Sequence, residues 1–187
     1  GAGNIKPGVI SETTGTVLAT VRCADVFEIV PGSPVYWGPS TEPGCYYQMV
    51  FGDVSANLLE AFRNALTEEK SFAELDALAA ACETSLFFPE GVNGDALMKS
   101  VRKWAATEHA GEGARAILEG VAVALKNHIR ALCGSEQPAQ IHCVGGAAKS
   151  SVWMGIKAEI VGLPMRSVAC DEPTSLGAAL LAIHGMT

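Results

Sequence analysis

Two short runs of small and hydroxyl-bearing residues have the types and spacing to do chemistry. The first is Val144-Gly145-Gly146-Ala147-Ala148-Lys149-Ser150, set between an apolar run and a helical pattern. A strand that feeds a helix through small residues lets backbone amides approach a phosphate or the face of an adenosine, where a Cβ would clash. The N-terminus of the following helix then favours an anion. A plain strand-to-helix turn, small only for packing, fits the same residues. The run is not a P-loop, because the required glycine spacing before Lys149-Ser150 is missing. Gly1-Ala2-Gly3 is likewise no dinucleotide fingerprint, since no strand precedes it and no third glycine follows at the right offset. The second run is Glu12-Thr13-Thr14-Gly15-Thr16. Hydroxyls and amides at such a turn can hold a β- or γ-phosphate without adding charge. A Thr-rich hairpin with no ligand accounts for it as well, because Thr favours strands.

Other reactive side chains do not assemble into a pattern. The cysteines at 23, 45, 82, 133, 143 and 170 form no C-x-x-C pair, and no histidine lies at finger spacing from them. Several sit in apolar runs, such as Ile141-His142-Cys143-Val144, and read as free buried thiols. His109, His128, His142 and His184 are scattered, with His142 read as a satisfied residue inside a strand. Glu108, Glu112 and Glu119 read as a solvated helix face, and Asp171-Glu172 before Pro173 as charge at a helix N-terminus. No Ser/His/Asp or Cys/His arrangement emerges.

The elements that must position the two runs follow from periodicity. Residues 8–23 alternate and are β-branched, with Gly15 between two strands of a hairpin. Four Pro and three Gly predict a loop over 26–44, and Cys45 to Phe51 a further strand. Val54, Leu58, Phe62 and Leu66 predict a helix after Asp53, and 72–82 a second, Ala-rich one. Ser85 to Pro89 reads as a short strand and Glu90 to Gly113 as irregular or weakly helical. Ile117, Leu118, Val121, Leu125, Ile129 and Leu132 keep helical spacing from Ala114 to a stop at Gly134. Gln140 to Val144 is a strand, and Ser150 or Ser151 caps a helix that ends at Gly162. Pro164 to Ala169 is another strand, and Pro173 starts a helix carrying Leu176, Ala179, Leu180 and Ile183. Strands first, then strands alternating with helices, specify an α/β domain with a mixed sheet and flanking helices.

With 187 residues, one domain suffices. A formal charge of −7 argues against a general nucleic-acid binder or a binder of anionic membranes. No apolar run reaches the roughly 18–20 residues of a membrane span, and no signal peptide opens the chain. A cytoplasmic protein is the expectation.

Taken in order, the motifs resemble the C-terminal domain of the FGGY carbohydrate kinases, which include the xylulose, ribulose and glycerol kinases. The resemblance rests on Gly1 to Gly8 with Ser11-Glu12-Thr13-Thr14-Gly15-Thr16, on Ala116-Ile117-Leu118-Glu119-Gly120-Val121-Ala122, and on Val144 to Trp153. Val161-Gly162-Leu163-Pro164 and Glu172-Pro173-Thr174-Ser175-Leu176-Gly177-Ala178-Ala179 complete it. Many members carry Gly where Thr13 stands, and Phe87 to Gly94 lacks the Gly-Glu-Arg-like element of xylulose-type members.

The resemblance implies an actin-like, ribonuclease-H-like ATPase domain that binds ATP and Mg²⁺ in a cleft shared with an N-terminal domain. It implies Thr14 as the phosphate-contacting threonine, with Thr13 and Gly15 shaping the turn. Gly145, Gly146 and Ala147 would lie against the adenosine, with Ser150 opening the helix beside it. The catalytic base would be an aspartate upstream of Gly1, so no Asp of this chain inherits that role. The sugar or polyol pocket would lie in the N-terminal domain, and the last helices of the family beyond Thr187. The chain is therefore expected to be an excised domain without kinase activity of its own. Apolar surface on its interdomain face would favour a homodimer. Half of another actin-like ATPase, or a non-catalytic module of the same fold, are the alternative readings.

Overall fold

The computed structural model describes residues 3, 4, 6–83, 94–107, 109–170 and 172–185. The strand expected over Ser85 to Pro89, most of the Phe87 to Gly94 stretch, Gly1-Ala2, Glu108 and Asp171 lie outside them.

The alternating segment forms β1 (Val9–Thr14) and β2 (Leu18–Ala24), antiparallel across a tight turn at Gly15. Alternation turns Ile10, Glu12 and Thr14 to one face, and all three are buried. The Pro-rich stretch expected to be loop holds a short strand, β3 (Tyr36–Pro39), paired with β4 (Tyr46–Gly52). Only an edge strand tolerates such a composition, and β3 is one, ending on Pro39. β4 pairs antiparallel with β2. On the other side, β5 (Gln140–Val144) lies parallel to β1, and β6 (Met165–Ser167) parallel to β5. The sheet order is β3-β4-β2-β1-β5-β6. β6 is shorter than the run Pro164 to Ala169 predicts.

The helices are α1 (Ala56–Ala65), α2 (Phe72–Ala80), α3 (Gly94–Ala105), α4 (Ala110–Cys133), α5 (Ser151–Val161) and α6 (Pro173–His184). A full capping box opens α2: Ser71 Oγ accepts from the Glu74 amide, and the Glu74 carboxylate accepts from the Ser71 amide. α3 resolves a segment read as irregular or weakly helical into a helix. It buries only Leu97, Val101 and Ala105, one residue per turn, which is too narrow a stripe to stand out in sequence. Ser150 caps α5 by accepting from the Trp153 amide, and Gly162 closes it at φ 78°. α6 forms from Pro173 as expected, but Leu176, Leu180, Leu181 and Ile183 on it are exposed.

α4 is the spine of the core. Ala114, Ile117, Leu118, Val121, Ala122 and Leu125 are fully buried against Leu58, Phe62, Leu75, Leu97, Val101 and the sheet residues Ile10, Leu18 and Ile141. Glu119, expected to be solvated, is half-buried and accepts from Arg115 Nε at 2.6 Å. The helix begins one turn earlier than its apolar spacing indicates. The reason is contact: a Cβ on Gly113 would lie 2.5 Å from Phe62 Cζ, so the first turn closes on α1 only without one. Gly113→Val is therefore expected to destabilise the fold by about 1–3 kcal/mol through overpacking. Urea denaturation measures this, and Phe62→Leu in the same chain should recover part of the loss.

Candidate functional site

The two runs singled out in sequence lie more than a hundred positions apart and meet because β1 and β5 are parallel neighbours. Thr13 pairs with Val144, so both strands end at the same level and their turns open side by side. Crevices beyond the carboxyl ends of such strands are the usual ligand sites of open α/β sheets. After β5 the chain enters a single 3₁₀ turn, Gly146–Lys149, and then α5. After β1 it turns at Gly15, whose carbonyl accepts from Ser55 Oγ at 2.8 Å and from the Ala56 amide at 3.1 Å. The start of α1 is thereby fastened to the first turn.

A cleft of about 490 Å³ opens above these turns. Thr14, Gly15 and Thr16 border it on one side, and Gly146, Ala147, Lys149 and Ser150 on the other. Its remaining walls come from α1, α2 and α5, notably Leu59, Phe72, Ala73 and Trp153. The volume and the mixture of apolar walls with a few polar groups suit a small-molecule site. Glu60 and Asp76 add carboxylates, and Lys149 a cation.

The candidate residues fall into distinct places. Thr14, Gly15, Gly146, Ala147 and Ser150 line the cleft. Gly145 does not; it holds the turn. Its φ is +90°, and a Cβ there would lie 3.2 Å from the Thr14 carbonyl oxygen. The clash argued for the glycine pair applies to Gly145 alone. At Gly146 nothing lies within 4 Å of a built Cβ, so the space it leaves is the cleft itself. Thr13 is exposed beside Gly145. Thr14 borders the cleft as well, but none of its surface is open to solvent.

Buried there is a closed polar triad that sequence reading missed. Lys157 Nζ donates to Glu12 Oε1 at 2.7 Å and to Thr14 Oγ1 at 2.7 Å. Thr14 Oγ1 donates to Glu12 Oε2, also at 2.7 Å. The Glu12 and Lys157 side chains are both 0% exposed. The ammonium also lies 5.4 Å from the centre of the Trp153 ring. Burial and the adjacent Glu12 carboxylate push the Cys143 thiol far above its ordinary value, so it stays protonated and unreactive. A charge inside each of two apolar patterns, β1 and α5, was the available signal; neither has a reason to be buried without the other. The cleft residues of α2 were also missed, although Ser71 and Glu74 mark the start of that helix.

Among the described residues no group of three or more His, Cys, Asp or Glu side chains could hold a metal ion. Among them also, no helix is long and apolar enough to cross a membrane.

A mixed sheet with flanking helices and a cleft at the ends of its parallel strands define a domain of the actin-like ATPase fold. The xylulose kinase of Rhodospirillum rubrum superposes with a TM-score of 0.75 over 100% of this chain and 40% of that one, at 23% identity. A xylulose kinase of Staphylococcus epidermidis is 29% identical over 156 residues, which is 77% of this chain and 31% of the relative. A glycerol kinase of Citrifermentans bemidjiense is 39% identical over 71 residues, 37% of this chain and 14% of that protein. The chain thus spans about a third of the length of the xylulose kinase it matches. The family model for the C-terminal domain of the FGGY carbohydrate kinases matches residues 13–186. The chain belongs to the FGGY family of carbohydrate kinases.

Removing one member of the buried pair leaves the other charge without compensation. Lys157→Met is expected to cost about 3–5 kcal/mol of unfolding free energy. Glu12→Leu combined with Lys157→Met should return most of that loss, as read by chemical denaturation, because apolar groups of similar size replace both charges.

Proposed function

We propose that this chain is the nucleotide-binding part of a kinase that transfers the γ-phosphoryl group of Mg·ATP to a hydroxyl of a small sugar or polyol. The observation that carries the reading is the convergence of the Gly15 and Gly146 turns on one cleft. The opening amides of the 3₁₀ turn have no intrahelical partner and suit a phosphate oxygen. The apolar walls from Leu59, Phe72, Ala73 and Trp153 suit a flat base. In this arrangement the Gly15 turn, shaped by Thr13 and carrying Thr16 at the cleft, orients the terminal phosphates, and Gly146, Ala147 and Ser150 hold the nucleoside end.

Mg²⁺ neutralises charge on the transferring phosphoryl group when bound. The sugar pocket and the aspartate that deprotonates the accepting hydroxyl belong, in this reading, to sequence outside these residues. A domain tested alone would then bind nucleotide weakly and transfer nothing. A cytoplasmic setting, where ATP is supplied, goes with the reading. The exposed leucines of α6 would serve an interdomain or dimer contact.

The test is phosphoryl transfer by the full-length protein, with Mg·ATP and a panel of pentuloses, pentoses, hexuloses and polyols. Transfer to one acceptor is expected, and Gly146→Val should weaken it about tenfold or more, because the added side chain enters open cleft space. No transfer to any acceptor, together with no rise in melting temperature on adding Mg·ATP, would favour a non-catalytic module.

A further inference from the structure

We infer that the Thr14 hydroxyl is not a ligand group in this chain but a positioning group beneath the phosphate turn, and that Thr16 supplies the hydroxyl that meets the phosphates. The inference rests on the nucleotide reading above and deepens it.

The argument is a proton count. A phosphate oxygen only accepts hydrogen bonds, so a hydroxyl that serves it must donate. Thr14 has one O–H, and it goes to Glu12 Oε2 at 2.7 Å. Lys157 Nζ occupies the opposite side of the same oxygen at 2.7 Å. Turning the proton toward the cleft would strip a fully buried carboxylate of one of its donors. The Thr14 side chain has no exposed surface through which to make such a turn.

Thr16 stands in the opposite condition. It lies two residues on, is exposed, and borders the cleft beside Gly15. Within the described residues its hydroxyl has no hydrogen-bond partner. Thr13 is exposed too, but it points to the Gly145 side of the turn and does not border the cleft. What Thr14 contributes is the join between β1 and α5. Its hydroxyl completes the Glu12–Lys157 pair, and the pair holds the end of β1 against the helix that follows the glycine turn.

Calorimetric titration of the full-length protein with Mg·ATP, together with melting temperature, separates the two roles. Thr16→Ala is expected to lower affinity about fivefold to tenfold with no change in melting temperature. Thr14→Val alone should lower both melting temperature and affinity, since it leaves Glu12 and Lys157 short of a partner, and Thr14→Ser should restore both. The triple variant Glu12→Leu, Thr14→Val, Lys157→Leu removes every buried polar group of the triad together. It should melt near the parent and bind Mg·ATP within about threefold of it. A folded triple variant that has lost nucleotide affinity overturns the inference, because the hydroxyl would then be acting on the ligand. If the triple variant does not fold, Thr16→Ala decides: unchanged affinity overturns the inference, and weakened affinity supports it. A parent protein that binds no Mg·ATP at all defeats the nucleotide reading itself, and this inference with it.

Discussion

The site depends on one buried ion pair. Glu12 and Lys157 are both wholly inaccessible to solvent, and each would be costly to bury alone. Between them they join the first strand of the sheet to the helix that follows the glycine turn, 145 positions later in the chain. The Thr14 hydroxyl closes the triad, so the end of β1 cannot shift relative to α5 without opening a charge-assisted hydrogen bond in a medium of low dielectric. The two turns are held over one cleft by this join and by the parallel pairing of β1 with β5. The Ser55 and Ala56 bonds to the Gly15 carbonyl add α1 to the same fixed frame.

This construction separates support from contact. The Glu12–Lys157 pair and the Thr14 hydroxyl are buried, where they set geometry. The surface facing the cleft is small residues and apolar walls, with the hydroxyls of Thr16 and Ser150 and the charged ends of Glu60, Asp76 and Lys149. Gly145 and Gly146 show the division in two adjacent residues. At one the backbone needs a positive φ close to the Thr14 carbonyl, and at the other a Cβ would meet nothing within 4 Å and would enter the cleft.

Much of this was legible in the sequence. Gly15, Gly134, Gly162, Pro173 and Ser150 mark turns and helix ends through local stereochemistry, which a single chain displays openly. The α4 stripe of Ile117, Val121, Leu125 and Ile129 was legible because a broad buried face repeats over many turns. What stayed hidden depends on partners distant in sequence. β3 is a strand only because β4 pairs with it, and α3 buries too few residues to announce itself. Glu12 reads as part of a hydroxyl-rich hairpin, and no motif marks Lys157. Neither reading reveals a buried pair until the fold brings the two together. The walls of the cleft from α1 and α2 were missed for the same reason, since Leu59, Phe72 and Asp76 carry no motif.

The claim at the centre of this account is that nucleotide lies between the Gly15 and Gly146 turns. Amide hydrogen exchange of the full-length protein, with and without Mg·ATP, tests it most directly. The account predicts slowed exchange at Gly15-Thr16, at Gly146 to Ser150, and at the starts of α1 and α2, with little change along α3 or at the edge strand β3. Protection absent from both turns, or centred on α3 or β3, would contradict it.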